Sequence, residues 1–426
     1  MARAMSPATD MMFDKVIACV DADEVVELSR QALRIRSVSG EEENVARYFI
    51  DAMRAAGLEA ELQPVPATPN MGPSFNAIGR LKGKGGGKSL MLNGHIDHNP
   101  TSDGWTKDPF GGVIEDGWLY GFVHMKAADA TYISAAKAVM KAGIELRGDV
   151  VLALVCGELR GGAGTRHALA NGLHADYFVL GEPTELDIGL NHTASIVLHI
   201  HVLGRSKHFA TIDTPGVRGV NAVEKVATVI AALGPSHTPF PPSDVGGWLT
   251  HRPVPGFEGL PQLNVGPIRG GIGKSHDASR PALFPDRCTL TVDFRIVPGM
   301  SKDTIRADVE RLLGEIAAGD PDFRYELEFA QDFFPLPFDA PRDSPVVHSV
   351  TAAHRRVHGA DPKPATVLKF AASDASWMAA ASMTGVIYGP TGRYLSRPDE
   401  RCRTEDLVRA AQAYACVIAD ICTRDA

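Results

Sequence analysis

The sequence predicts an α/β fold: a mixed, largely parallel sheet flanked by helices, interrupted by an inserted α+β domain. Three observations carry this. Strands and helices alternate from the start of the chain to about residue 190 and resume from about 345, the pattern of parallel strands joined by crossover helices. The strands in those stretches, such as VVLALVC ending at 156 and YFVL ending at 180, are apolar on both faces, as strands covered by helices on both sides must be. Near 190 the character changes to strands that alternate polar and apolar residues, in a β-α-β-β-α-β order. The 426 residues also exceed the length at which one hydrophobic core stops growing. The expected division is 1–190 and 335–426 for the first domain and 191–334 for the insert.

Taken in order, a helix is expected over 41–56, opened by a capping box of Ser39 and Glu42 and striped by Val45, Phe49, Ile50 and Met53. A continuously apolar strand follows at 89–93, then GWLYGF at 117–122, then a helix of small residues near 126–142. The Gly-rich KGKGGGKS at 82–89 joins two strands with no helix after it, so it reads as a turn rather than a phosphate cradle. In the insert, SIVLHIHVLG, NAVEKVATVIAAL, LPQLNVG, CTLTVDFRIV, a helix at 302–317 and RYELEF supply the six elements, with the Pro-rich 235–256 as a surface excursion. The first domain closes with a helix from about 345, a strand around 385–388 and a helix at 404–422.

Composition narrows the function. Lys and Arg number 43 against 51 Asp and Glu, a net charge of −8, which gives no support to a nucleic-acid or anionic-membrane partner. No apolar run approaches the length of a membrane span, and the N-terminus MARAMSPATDMMFDK lacks the continuous apolar stretch of a secretory signal. The six cysteines are scattered with no CxxC pair, so free thiols in a reducing, cytoplasmic compartment are expected rather than a structural zinc site.

Open parallel sheets present their chemistry beyond the carboxyl ends of their strands. Here His95 and Asp97 follow LMLNG, Glu158 follows VVLALVCG and Glu182 follows YFVLG, while His124 stands after GWLYGF at the entrance of the next helix. Any one of these alone reads as a solvated strand exit, and an interior histidine is the alternative for His124. Together, imidazoles and carboxylates converging from several strand ends match a transition-metal site with its general base. His98, His192, His199 and His201 read as loop and strand residues, with a place in the pocket as the alternative.

The residues also carry a family resemblance. The marks are His95-Ile-Asp97, Trp105 with Asp108-Pro-Phe-Gly, Tyr120-Gly-Phe-Val-His124-Met-Lys126, and Glu158 before Gly161-Gly162. Gly181-Glu182-Pro-Thr, His208 with Gly219-Val-Asn221-Ala, Asp293-Phe-Arg295 and Gly389-Pro390 complete the order. This order resembles the metallohydrolase family of aminoacylase, acetylornithine deacetylase, succinyl-diaminopimelate desuccinylase and glutamate carboxypeptidase. The resemblance spans roughly residues 25–420 and implies a catalytic domain with a smaller lid or dimerisation domain. It therefore implies a homo-oligomer, at least a dimer through the insert. It implies His95, His124 and Glu182 as metal ligands, and Asp97 as the carboxylate that fixes the His95 ring. Glu158 would be the general base that passes its proton to the leaving nitrogen. His208 would reach a neighbouring subunit's site as a catalytic and substrate-binding group that stabilises negative charge. Arg295 would pair with a substrate carboxylate or form a salt bridge within the lid.

Three positions depart from the family's pattern. His124 stands where the family has an aspartate bridging two zinc ions, Leu159 where it has a second glutamate, and Ser396 where it has a histidine. A carboxylate can serve two ions, a neutral imidazole offers one lone pair, and leucine offers none. The expected site therefore holds one divalent transition metal ion per subunit (Mn, Zn, Co or Fe), with open positions as in catalytic sites. Within the family the chain is most similar to aromatic aminohydrolases. This implies replacement of an aromatic amino group by hydroxyl with release of ammonia, 5-nitroanthranilate to 5-nitrosalicylate, on a small aromatic carboxylate. A one-metal peptidase or N-acyl amino acid hydrolase is the alternative, and a non-catalytic binding protein on a hydrolase fold the second.

Overall fold

The structure, a computed structural model, describes residues 6–211, 218–236, 238–241, 246–277, 281–330, 335–365 and 372–425. The chain divides into two units, Met1–His192 with Phe338–Lys369 and Ser373–Ala426, and Thr193–Pro337 with Phe370–Ala372. The first crossing falls at 193 rather than 191 because Asn191–His192 pairs with Phe338–Asp339 in a short ribbon of the first unit. The boundary expected at 334 lies outside the described residues.

The first unit is built on a six-stranded sheet in the order Glu59–Val65, Ser74–Leu81, Val150–Val155, Leu90–His95, Tyr177–Leu180 and Thr384–Ile387. The first two strands are antiparallel to their neighbours and the last four run parallel. Their apolar runs alternate between two cores, as the two-residue period of a strand requires. Leu90, Leu92, Leu152 and Val179 face the helices Glu43–Ala55, Lys126–Lys141, Pro345–His358 and Thr404–Cys422. Met91, Val151, Phe178 and Leu180 face the opposite core, with Ala163–Ala170 and Ala375–Ala380. Each such buried Leu, Val or Phe contributes about 1.5–3 kcal/mol relative to exposure, which fixes the strand register and so the positions of the strand ends.

The capping box expected at Ser39 and Glu42 does not form. The helix starts at Glu43 with Glu42 as its cap and no side-chain cap bond. Glu42 is buried and accepts instead from the backbone N–H groups of Gly40 (2.8 Å) and Gly157 (3.1 Å). Ser39 donates its hydroxyl to Asp97 at 2.7 Å. Buried partners distant in sequence outcompete the local cap. Two further helices, Pro7–Ile17 and Ala22–Leu33, precede this one and were not expected; Ser6 and Asp21 cap them by accepting from Thr9 and Glu24 N–H. The strand expected at 117–122 is limited to Trp118–Tyr120, the middle of a ribbon with Ile114–Glu115 and Arg401–Arg403.

In the second unit, Gln262–Gly271, Arg287–Ile296, Ala194–Leu203 and Arg324–Phe329 form an antiparallel sheet in that order. Ile196, Leu198, Ile200 and Val202 point into a core covered by helices Ala222–Leu233 and Lys302–Gly319. Asn221 caps the first of these, accepting from Val223 N–H at 3.0 Å and Glu224 N–H at 3.4 Å. All six cysteines are free, and among the described residues no helix is long and apolar enough to cross a membrane.

Candidate metal centre

Three adjacent parallel strands end at one edge of the first unit's sheet, and each hands a residue to the turn that follows. Leu90–His95 ends in His95 and continues to Asp97, Val150–Val155 leads to Glu158, and Tyr177–Leu180 leads to Glu182. His124 comes from the turn between Trp118–Tyr120 and the helix Lys126–Lys141. Glycines make these turns possible. Gly162, at φ 70°, lies so close to Trp377 and Asp374 that any Cβ would collide with both. Gly389 lies equally close to the carbonyl oxygens of Gly181 and Glu182, so the Gly389-Pro390 turn rests directly on the backbone that presents Glu182.

His95, His124 and Glu182 each offer one ligand atom, and these atoms lie within 4.8 Å of one another. Among the described residues no other group of three histidine, cysteine or carboxylate side chains does so. His124 Nε2 is 2.6 Å from Glu182 Oε2 and His95 Nε2 is 3.8 Å from Glu182 Oε1. The two imidazoles meet edge-on with ring centroids 4.8 Å apart. His95 Nδ1 donates to the Asp97 carbonyl at 3.0 Å, with the Asp97 carboxylate at 3.3 Å, which leaves Nε2 carrying the lone pair. That Nε2 is buried and has no hydrogen-bond partner. Leaving a buried polar atom unsatisfied costs about 1–3 kcal/mol. An orphaned imidazole lone pair facing a carboxylate and a second imidazole fits a divalent ion, and two nitrogens with one oxygen suit transition metals.

Electrostatics point the same way. Asp97 is fully buried, which disfavours its charge, yet His95, the Ser39 hydroxyl and the Glu158 N–H hold its pKa below the usual carboxylate value. Burial works against a charged His95, but Asp97, Glu182 and Glu158 outweigh it and hold its pKa well up, a pull on positive charge that an ion at Nε2 would satisfy in place of a proton. Burial would raise Glu182; His124, with His95 and His192, pulls it down instead. Glu158 is pushed well up, chiefly by burial and then by the charges of Asp374, Glu182 and Asp97, against the pull of His95. Asp374, also buried, is pushed up to about 7. Glu400 is raised by burial as well. Against these carboxyls stands Lys126, whose pKa burial lowers to about 7 and whose Nζ donates to the Ile35 carbonyl at 2.7 Å. So many buried acids around two imidazoles favour an added cation.

Leu159 contributes only its N–H, which reaches Asp97 at 3.3 Å, and the Ser396 hydroxyl accepts from Asn99 at 3.0 Å. His98 is an interior residue: it accepts from Ser37 N–H at 3.0 Å, lies flat on Phe122 with centroids 4.0 Å apart, and burial lowers its pKa to about 3. His192 is buried, with its ring centroid 5.5 Å from that of Phe338. His199 and His201 stand on the polar face of Ala194–Leu203, bonded to Thr291 and Thr289. His208 and Arg295 belong to the second unit. His208 is exposed, with Nδ1 accepting from Ala210 N–H at 3.2 Å, and Arg295 pairs with Asp293 at 2.9 Å. Sequence reasoning missed Asp374, which accepts from Thr165 at 2.6 Å beside the glycine turn after Glu158, and Glu400. Neither SRPDE at 396–400 nor Ser373-Asp-Ala marks its carboxyl as buried, since both roles come from long-range contacts.

The model of the peptidase family M20/M25/M40 matches residues 91–420. The chain belongs to that family. It is accordingly a metal-dependent hydrolase, and family M20/M25/M40 supplies the setting for the cluster above. One relative is N-formyl-4-amino-5-aminomethyl-2-methylpyrimidine deformylase of Bacillus subtilis, 26% identical over 377 residues, covering 82% of this chain and 83% of the relative. A second is acetylornithine deacetylase of Edwardsiella ictaluri, 29% identical over 299 residues, covering 69% and 71%. Among solved structures, aminopeptidase PepT of Bacillus cereus superposes with a TM-score of 0.74 at 16% identity, covering 95% of this chain and 99% of that one, which shows the shared fold.

Proposed function

We propose that this M20/M25/M40 member hydrolyses a C–N bond of a small substrate at a single divalent ion held by His95, His124 and Glu182. The observation that carries the reading is the His95, His124 and Glu182 group, the one three-residue ligand cluster among the described residues, with Leu159 and Ser396 at the positions where the resemblance sets the second ion's ligands. A bound ion of this class supplies Lewis-acid polarisation and acidifies water. Asp97 fixes the His95 ring through Nδ1. Glu158, a buried carboxyl at the end of the strand beside the cluster, takes a proton from the attacking water and passes it to the departing nitrogen.

Two substrate classes meet this description. The relatives support acyl release, since by their names one removes an N-formyl and the other an N-acetyl group. In that case an amide and water yield a carboxylate and an amine. The aromatic deaminase reading, with 5-nitroanthranilate and water giving 5-nitrosalicylate and ammonia, draws its support from the second-ion positions. The resemblance implies amide hydrolysis with two ions, and it sets Leu159 and Ser396 at the positions of the second ion's ligands. A panel of N-formyl and N-acetyl amines and amino acids beside nitro- and aminobenzoates, assayed with added divalent metal, separates them. Formate or acetate release identifies the first class, and ammonia with a phenol the second. Turnover of neither by ion-loaded protein contradicts the proposal.

We further propose that the chain is a homo-oligomer in which His208 completes a neighbouring subunit's site and Arg295 meets a substrate carboxylate. His208→Ala and Glu158→Ala chains should each be inactive and recover partial activity when mixed and re-associated. No recovery in verified hetero-oligomers places His208 in its own subunit's service or outside the chemistry.

A further inference from the structure

Residues 121–124 carry His124 between a three-residue strand and a helix, and one residue fastens both ends of that turn. The Glu400 carbonyl accepts from Gly121 N–H at 3.0 Å, and its carboxylate Oε1 accepts from His124 N–H at 2.8 Å. The other oxygen accepts from Ser396 N–H at 2.7 Å. Glu400 is 1% exposed, so water does not compete for these bonds. The segment from which it reaches holds Tyr394, Ser396 and Asp399 at φ 58°, 58° and 60°. Such conformations persist in non-glycine residues only where the surroundings fix them. Asp399 supplies one fixture, accepting from Thr106 N–H and hydroxyl, both at 2.8 Å. Arg401 supplies another, its guanidinium 5.1 Å from the Trp118 ring and 5.2 Å from that of Tyr120.

We propose that Glu400 is a positioning residue for the ion: by holding the His124 N–H, its carboxylate sets where the His124 imidazole presents its lone pair beside Glu182. This rests on the single-ion reading above. The replacement of a bridging carboxylate by His124 is what makes placement critical. A carboxylate has two oxygens and tolerates a shift, whereas an imidazole has one lone pair in one direction. Substitution at 400 leaves the backbone bond to Gly121 intact and releases the bond nearest the ligand.

The test is the affinity of metal-free, full-length protein for Co2+, measured by competition with a chelator, with the visible spectrum of the loaded protein. In Glu400→Gln the amide keeps one acceptor where two N–H groups need one each. Co2+ should bind about 10–100-fold more weakly, with a shifted spectrum. Asp399→Asn tolerates the left-handed backbone and removes the charge from the bonds to Thr106 without touching His124; it should bind within about threefold of the parent. Parental affinity in Glu400→Gln, or an equal loss in Asp399→Asn, overturns the proposal, the latter because a merely structural role moves both. Should Glu400→Gln not fold, Glu400→Asp, which retracts the carboxylate by one methylene, decides: weaker binding supports and parental binding overturns. His124→Ala runs alongside. If it retains Co2+ as tightly as the parent, the ligand assignment fails and the positioning role with it; if it loses Co2+, a parental Glu400→Gln sinks the positioning role alone.

Discussion

Glu158→Gln is expected to lower turnover by roughly 10²–10⁴ while leaving ion and substrate binding near parental, a barrier increase of about 3–5 kcal/mol. The substitution keeps the side chain's size and its place after the strand Val150–Val155. What it removes is the capacity to accept a proton. The carboxyl is set up for that exchange: burial, followed by Asp374 and Glu182, raises its pKa against the opposing pull of His95. Steady-state kcat on whichever substrate class is turned over, beside calorimetric binding of ion and substrate, checks the result. A kcat within a few-fold of the parent assigns the base to another group, and Asp374, the buried carboxyl beside the same turn, becomes the next to substitute.

His124→Ala should abolish both ion binding and activity. Its Nε2 lies 2.6 Å from Glu182 Oε2, so its removal takes one of three donors and leaves Glu182 with the more distant His95 at 3.8 Å. The loss should exceed the roughly 10–100-fold that follows from disturbing a supporting residue. Leu159→Ala should spare the ion, because the part of Leu159 that meets the site is its backbone N–H on Asp97, which alanine retains. Chelator-competition titration and elemental analysis of desalted protein read both variants. Ion binding retained in His124→Ala, or lost in Leu159→Ala, reverses the assignment.

The parts of this site that were legible in the sequence were those written locally. His95, Glu158 and Glu182 each end a continuous apolar run, and a run apolar on both faces is itself the signature of a strand buried between helix layers. The insert was legible because its strands alternate, and Ile196, Leu198, Ile200 and Val202 are buried as that alternation requires. What was not legible depends on contacts between distant segments. Glu400 meets His124 across 276 residues and Asp374 meets Thr165 across 209, and no local pattern distinguishes either carboxyl from a surface one. The failed capping box has the same cause. Ser39 and Glu42 have the spacing of a helix start, but Asp97 and the Gly157 N–H, brought close only by the fold, claim their side chains.

Each subunit is expected to hold one catalytic ion, and that number can be counted. Protein saturated with a divalent transition metal and desalted should carry one equivalent per subunit, and anomalous scattering from crystals should show one peak among His95, His124 and Glu182. Two well-occupied peaks a few ångströms apart, or two equivalents surviving desalting, would mean a two-ion site instead.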